Sequence, residues 1–216
     1  MLANSLVASV VRFASKLAPT ALMLSAALLV ACGDDPVALP RLGPDAVIVA
    51  FGDSLTHGTG ARDYQSYPAV LADRTGLEVI NAGIPGEETD KGLRRLPGLL
   101  DQYQPDLLIL CHGGNDILRK RDTAVTEANI REMIRIGRER NIPVVMIAVP
   151  NVGLFLSSAD FYAAIAEDLR VPIEDDILAT LLGDNHYKSD HVHPNAAGYA
   201  RLAEAVEALL TQHGAL

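Results

Sequence analysis

The chain has no tryptophan, and aromatic residues of every kind make up 5% of it. No internal repeat or low-complexity tract is visible, which excludes a solenoid or repeat array. No basic stripe appears, and the net charge is −9 at pH 7, which argues against a nucleic-acid-binding surface. Cysteines number two, Cys32 and Cys111, too few for a disulfide framework. What is there is 216 residues, 49% of them apolar, enough to bury one sizeable core.

Residues 1–31 do not read as fold. They contain Arg12 and Lys16, no acidic residue, and an apolar run from Leu17 to Val30. That run is too short for a comfortable membrane span and fits the apolar region of a secretory signal. It ends in Leu29-Val30-Ala31-Cys32, followed by Gly33-Asp34-Asp35. A small residue before cysteine resembles the lipobox of bacterial lipoproteins. Cys32 would then be the acylated mature N-terminus and a membrane anchor. The expected location is periplasmic, on the outer membrane in a Gram-negative host, since Gly33 rather than Asp follows the cysteine. The plainer reading is a secretory signal with an incidental cysteine. Removing residues 1–31 takes away two positive charges, leaving −11. Residues 33–44 hold three prolines and two glycines, so 32–44 read as a lipidated cysteine and flexible tether, and 45–216 as the domain. With Cys32 lipidated no intramolecular disulfide is available. Cys111 ends an apolar run and reads as a small buried hydrophobe rather than a catalytic thiol.

The domain alternates apolar runs with amphipathic ones. Ala46–Phe51, Leu77–Asn81, Asp106–Cys111, Pro143–Val149 and Val171–Ile173 read as strands. Helices are expected near 67–73, from about Glu88, near 126–140, near 160–169, and after Pro194-Asn195, where Asn195 can act as a cap. The helix after Glu88 is expected to bury Leu93, Leu96, Leu100 and Tyr103, with a kink at Pro97. This order predicts a three-layer α/β/α sandwich, flavodoxin-like, around a five-stranded parallel sheet. Ligands bind such sheets at the C-terminal ends of the strands. The glycine-rich and polar loops all follow those ends.

One rim therefore collects Ser54, the Gly86 loop, Asn115 and Asp190-His191-Val192-His193. Serine is a poor nucleophile until a base takes its proton. His193 can be that base, and Asp190, three residues earlier, can hold the imidazole in the needed tautomer. The N–H groups of Ser54 and Gly86 and the Asn115 amide can face a developing oxyanion. Asp53 and Asp116 are expected to brace loops, and His191 to face solvent. His186, Asp190, His191 and His193 also permit a metal reading. It is set aside because the serine site leaves no need for a metal, and no cofactor is expected. A phosphate-cradling flavodoxin-like binding module remains as a non-catalytic rival. It leaves Asn115, Asp190 and His193 without a task.

These blocks resemble the GDSL (SGNH) hydrolase superfamily. Gly52-Asp53-Ser54-Leu55 matches its first block and Asn81–Gly86 its second. Gly113-Gly114-Asn115-Asp116 matches the third and Asp190–His193 the last. The resemblance spans residues 46–210 and is nearest to bacterial thioesterase/lysophospholipase and arylesterase enzymes. It implies Ser54 as nucleophile, His193 as base and Asp190 as its partner. It implies an oxyanion hole of Ser54, Gly86 and Asn115, with Gly83 the competitor of Gly86. His57 and His112 depart from the pattern. The substrates implied are aryl esters, acyl thioesters and lysophospholipids, with sugar acetyl esters as the alternative. The loop after the fourth strand is apolar, and Leu154, Phe155 and Leu156 are expected either to pack on Phe161 and Tyr162 or to line an acyl groove. A monomer or weak oligomer is expected.

Overall fold

The structure is a computed structural model, and it describes residues 37–151 and 157–216. Five strands make one sheet: β1 (Val47–Gly52), β2 (Glu78–Gly83), β3 (Leu107–Cys111), β4 (Val144–Ile147) and β5 (Ile173–Glu174). All pairs are parallel, and the order is β2-β1-β3-β4-β5, the flavodoxin-like order. β1 and β3 are apolar throughout because they lie at the centre and are covered on both faces. Ile48 to Phe51 and Leu107 to Cys111 are at most 2% exposed.

The described helices are α1 (Ser54–His57), α2 (Tyr67–Thr75), α3 (Thr89–Tyr103), α4 (Gly114–Leu118), α5 (Thr123–Glu139), α6 (Asp160–Leu169), α7 (Ile177–Gly183) and α8 (Ala196–Gln212). α2 packs on α8, and α3 packs on α5, which in turn meets α6. α8 starts where expected. Asn195 Oδ1 accepts the Gly198 N–H at 3.0 Å, and Tyr199, Leu202, Ala203, Val206 and Leu209 are buried.

Four expectations change. α3 continues through Pro97, and it buries Thr89 and Gly92 beside Leu96 and Leu100, whereas Leu93 packs on the core only partly buried and Tyr103 is exposed. The stripe includes a glycine because a Cβ on Gly92 would sit 2.3 Å from His112 Nε2. α5 starts earlier than expected, at a cap where Asp122 Oδ1 accepts the Ala124 N–H. α7 was not foreseen, since seven residues are too few for a periodicity to stand out. Finally, residues 37–42 do not form a free tether. Leu39 and Leu42 donate backbone bonds of 2.8 Å to His213 O and Ala215 O, and both side chains pack on the core. Composition could not show this, because the partners lie at the other end of the chain. Cys32 lies outside the described residues.

Candidate active site

β1 ends in a turn that leaves no room for a side chain. A Cβ on Gly52 would lie 2.1 Å from Cys111 O on the neighbouring strand. Asp53 follows and caps α1, its Oδ1 accepting the Leu55 N–H at 3.0 Å. Ser54 is thereby the first residue past the strand and its cap. Burial pushes the Asp53 carboxyl up, against the opposing pull of His112 and of its hydrogen bonds to Leu55 and Asn115.

The last block arrives from the turn between α7 and α8. His193 Nε2 lies 3.0 Å from Ser54 Oγ, and His193 Nδ1 lies 2.8 Å from Asp190 Oδ2. A carboxylate at Nδ1 needs a hydrogen there, so Nε2 is left to accept from the serine. Asp190 Oδ1 accepts the N–H groups of Val192 and His193. Partial burial raises the Asp190 carboxyl, but the His193 bond and the Val192 N–H outweigh it, and the group stays below its ordinary range. The turn is closed by an antiparallel bridge between Lys188 and Pro194, and by Asn195 Nδ2 donating to His186 O and Lys188 O. His191 is exposed, as expected.

The remaining candidates come from β2 and β3. Gly86 has φ 77°, and its N–H has no acceptor among the described residues. The competing Gly83 N–H is already donated to Asn81 Oδ1 at 3.0 Å. Ser54 N–H also lacks an acceptor among the described residues. Asn115 Nδ2 donates to Asp53 Oδ2 at 3.0 Å and to Glu87 O at 3.1 Å, so both its hydrogens are engaged at rest. Asp116 braces the loop as expected, accepting from Thr89 N and Oγ1. Beside Ser54 and Asn115 runs a crease lined by Leu55, Leu118, Val149, Pro150, Leu182 and Val192. Leu154, Phe155 and Leu156 lie outside the described residues. Among the described residues, no three His, Cys, Asp or Glu side chains converge as a metal site. Cys111 is fully buried, and burial pushes its thiol well up, which suits an inert packing residue.

The family model for the GDSL-like Lipase/Acylhydrolase family matches residues 50–201. The chain belongs to that family. This GDSL hydrolase is similar to an arylesterase of Vibrio mimicus, 32% identical over 177 residues, covering 77% of this chain and 88% of the relative. It is similar to thioesterase 1/protease 1/lysophospholipase L1 of Escherichia coli K12, 32% identical over 156 residues, 68% of this chain and 75% of the relative. Among solved structures, the SGNH-hydrolase family esterase AlinE4 is 30% identical with a TM-score of 0.62, covering 80% of this chain and 98% of that one. The crystal structure of TesA has a TM-score of 0.70 at 26% identity, over 76% and 97%. The protein is thus an ester-bond hydrolase of the SGNH fold.

Sequence reading missed one part of this GDSL hydrolase's centre. His112 is buried and faces Glu87, which is itself bound by Arg95. His112 stood out as a departure, whereas Glu87 and Arg95 carried no motif. The available signal was a charged residue directly after the Gly86 turn. His57 is exposed, and its carbonyl accepts from Asn81 Nδ2.

Proposed function

We propose that this protein is a serine esterase that cleaves carboxylic esters and thioesters through an acyl-enzyme on Ser54. The observation that carries this is the continuous chain of contacts from Ser54 Oγ through His193 to Asp190, at 3.0 and 2.8 Å. His193 takes the serine proton as Oγ attacks the acyl carbon, and Asp190 stabilises the imidazolium that forms. The oxyanion is received by the N–H groups of Ser54 and Gly86 and by the Asn115 amide, one of whose resting bonds must yield or be shared. His193 then gives its proton to the departing alcohol or thiol. Water repeats the cycle and frees the acid.

The apolar crease beside Ser54 supports an acyl chain rather than a sugar as the bound group, and each methylene buried there adds up to about 0.8 kcal/mol. Aryl esters, acyl thioesters and lysophospholipids are the substrate classes. The chain is also read as exported and held to the membrane by an acylated Cys32. The run ending at Ala31-Cys32 supports this, as does 36% identity over 119 residues to a Bacillus subtilis protein named as the lipoprotein YqeF.

The test is a chain-length series of aryl esters, with a fluorophosphonate label and peptide mapping. Label on Ser54, rates unchanged by EDTA, and activity climbing from acetyl to medium chains are expected. Label elsewhere, or loss in EDTA restored by zinc, overturns the serine reading. Preference for acetyl groups on sugars supports the carbohydrate acetylesterase instead.

A further inference from the structure

Glu87 is a buried carboxylate that no proposed chemical step touches. Its Oε1 accepts from Arg95 Nε at 3.1 Å, and its Oε2 accepts from Arg95 Nη2 at 2.6 Å. His112 Nε2 lies 3.3 Å from the same Oε2. His112 Nδ1 accepts the Gly113 N–H, so the ring hydrogen sits on Nε2 and points at Glu87. Arg95 Nη2 also donates to Ala82 O in β2, and the guanidinium lies 4.2 Å over the Phe51 ring of β1. One carboxylate is therefore anchored to the ends of the three strands β2, β1 and β3. Burial pushes Glu87 up, yet the His112 and Arg95 bonds prevail and bring it to about 2. The anchor is charged at any working pH.

What depends on this anchor is specific. The Glu87 carbonyl accepts from Asn115 Nδ2, and the preceding peptide belongs to Gly86. The start of α3 does not need it, because Asp116 already takes the N–H and hydroxyl of Thr89. The anchor instead serves the turn at 84–87 and the Asn115 amide. We propose that Glu87 is a positioning residue: Arg95 and His112 hold its carboxylate so that its backbone places Gly86 and Asn115 for the oxyanion. The inference rests on the oxyanion hole proposed above.

Glu87→Gln keeps the shape, but its amide nitrogen has to face a donor, either His112 Nε2–H or the Arg95 guanidinium. The experiment measures kcat and KM on an aryl ester, with active serines counted by fluorophosphonate titration. Per titrated serine, kcat is expected to fall about 10- to 100-fold with KM within about twofold, since small misplacements of a donor carry losses of that order. Arg95→Lys keeps the charge and loses the two-pronged grip. It is expected to fall in the same direction, and it decides the matter if Glu87→Gln does not fold. Unchanged kcat per titrated serine, with fewer serines titrated, shows a purely structural residue and overturns the proposal. A rise in KM alone also overturns it. A wild type not labelled at Ser54 is a separate result, which removes the serine-esterase reading beneath it.

Discussion

Ser54, Gly86 and Asn115 leave from the ends of β1, β2 and β3, inside the sheet's framework, whereas Asp190 and His193 ride on a turn between α7 and α8. Around the first group the polar side chains are buried and hydrogen-bonded: Asp53, Glu87, His112, Asn115 and Asp116 are all under 9% exposed. On the turn, the Asp190 side chain is half exposed, at 51%. The first region is held by core packing and a charged anchor. The second is held by local bonds of Ser189, Asp190 and Asn195, and by its seating on α8. In the proposed mechanism the oxyanion donors must meet an atom that exists only fleetingly, so they need a rigid frame. A base that carries a proton both ways can sit on a turn, provided its partner fixes the ring.

The largest effects should separate the two regions. His193→Ala is expected to lower kcat by about 10⁵–10⁶, and Asp190→Asn by about 10⁴, with the melting temperature close to wild type in both. Asn115→Ala is expected to lower kcat by about 10²–10³ and to destabilise by about 1–3 kcal/mol, because Asp53 Oδ2 and Glu87 O lose their donor. Aryl-ester kinetics and thermal melts on the three variants check this. Melting losses as large for His193→Ala as for Asn115→Ala would erase the contrast.

A smaller effect is expected at the seam between the regions. Gly60 has φ 99°, and a Cβ there would lie 2.1 Å from Ser189 Oγ and 2.7 Å from Pro194 O. Gly60→Ala is expected to push the base turn off Ser54 and lower kcat about tenfold or more, with fluorophosphonate labelling slowed in step. Labelling at the wild-type rate would show that the turn does not lean on this glycine.

The last effect is on acid stability rather than on rate, and it belongs to the framework alone. Glu87 titrates near 2 when folded, against an ordinary 4.5. A depressed carboxylate contributes stability above the unfolded value and loses it as pH falls. Unfolding free energy should therefore drop between about pH 4.5 and 2, and Glu87→Gln should flatten that slope in denaturant titrations. An unchanged slope would mean that the Arg95 pair adds nothing in this range.

The strand ends were legible because glycines, polar residues and apolar runs fall in fixed order along the chain. Gly52-Asp53-Ser54 and Gly113-Gly114-Asn115 mark turns that only small or capping residues allow. The α3 face was less legible. Counting apolar residues selects Leu93 and Tyr103, but the buried stripe uses Thr89 and Gly92, which apolar periodicity does not count. Glu87 and Arg95 were invisible for a related reason. A buried ion pair looks like two ordinary surface charges until the fold brings them together. The docking of residues 37–42 on the C-terminal end rests on backbone bonds and on the packing of Leu39 and Leu42, and neither shows until the fold brings the two ends of the chain together.

That docking decides which way the molecule faces. Residues 37–42 run along the edge where the strands begin, and β1 then carries the chain across six residues, about 20 Å, to the end where Ser54 lies. Val37 therefore enters the domain at the end of the sheet away from Ser54. The mouth beside Ser54 opens on the opposite side. Leu118 and His191 line that mouth, so a linkage made at either would obstruct the substrate's approach, whereas one made at Val37 would lie at the far end of β1.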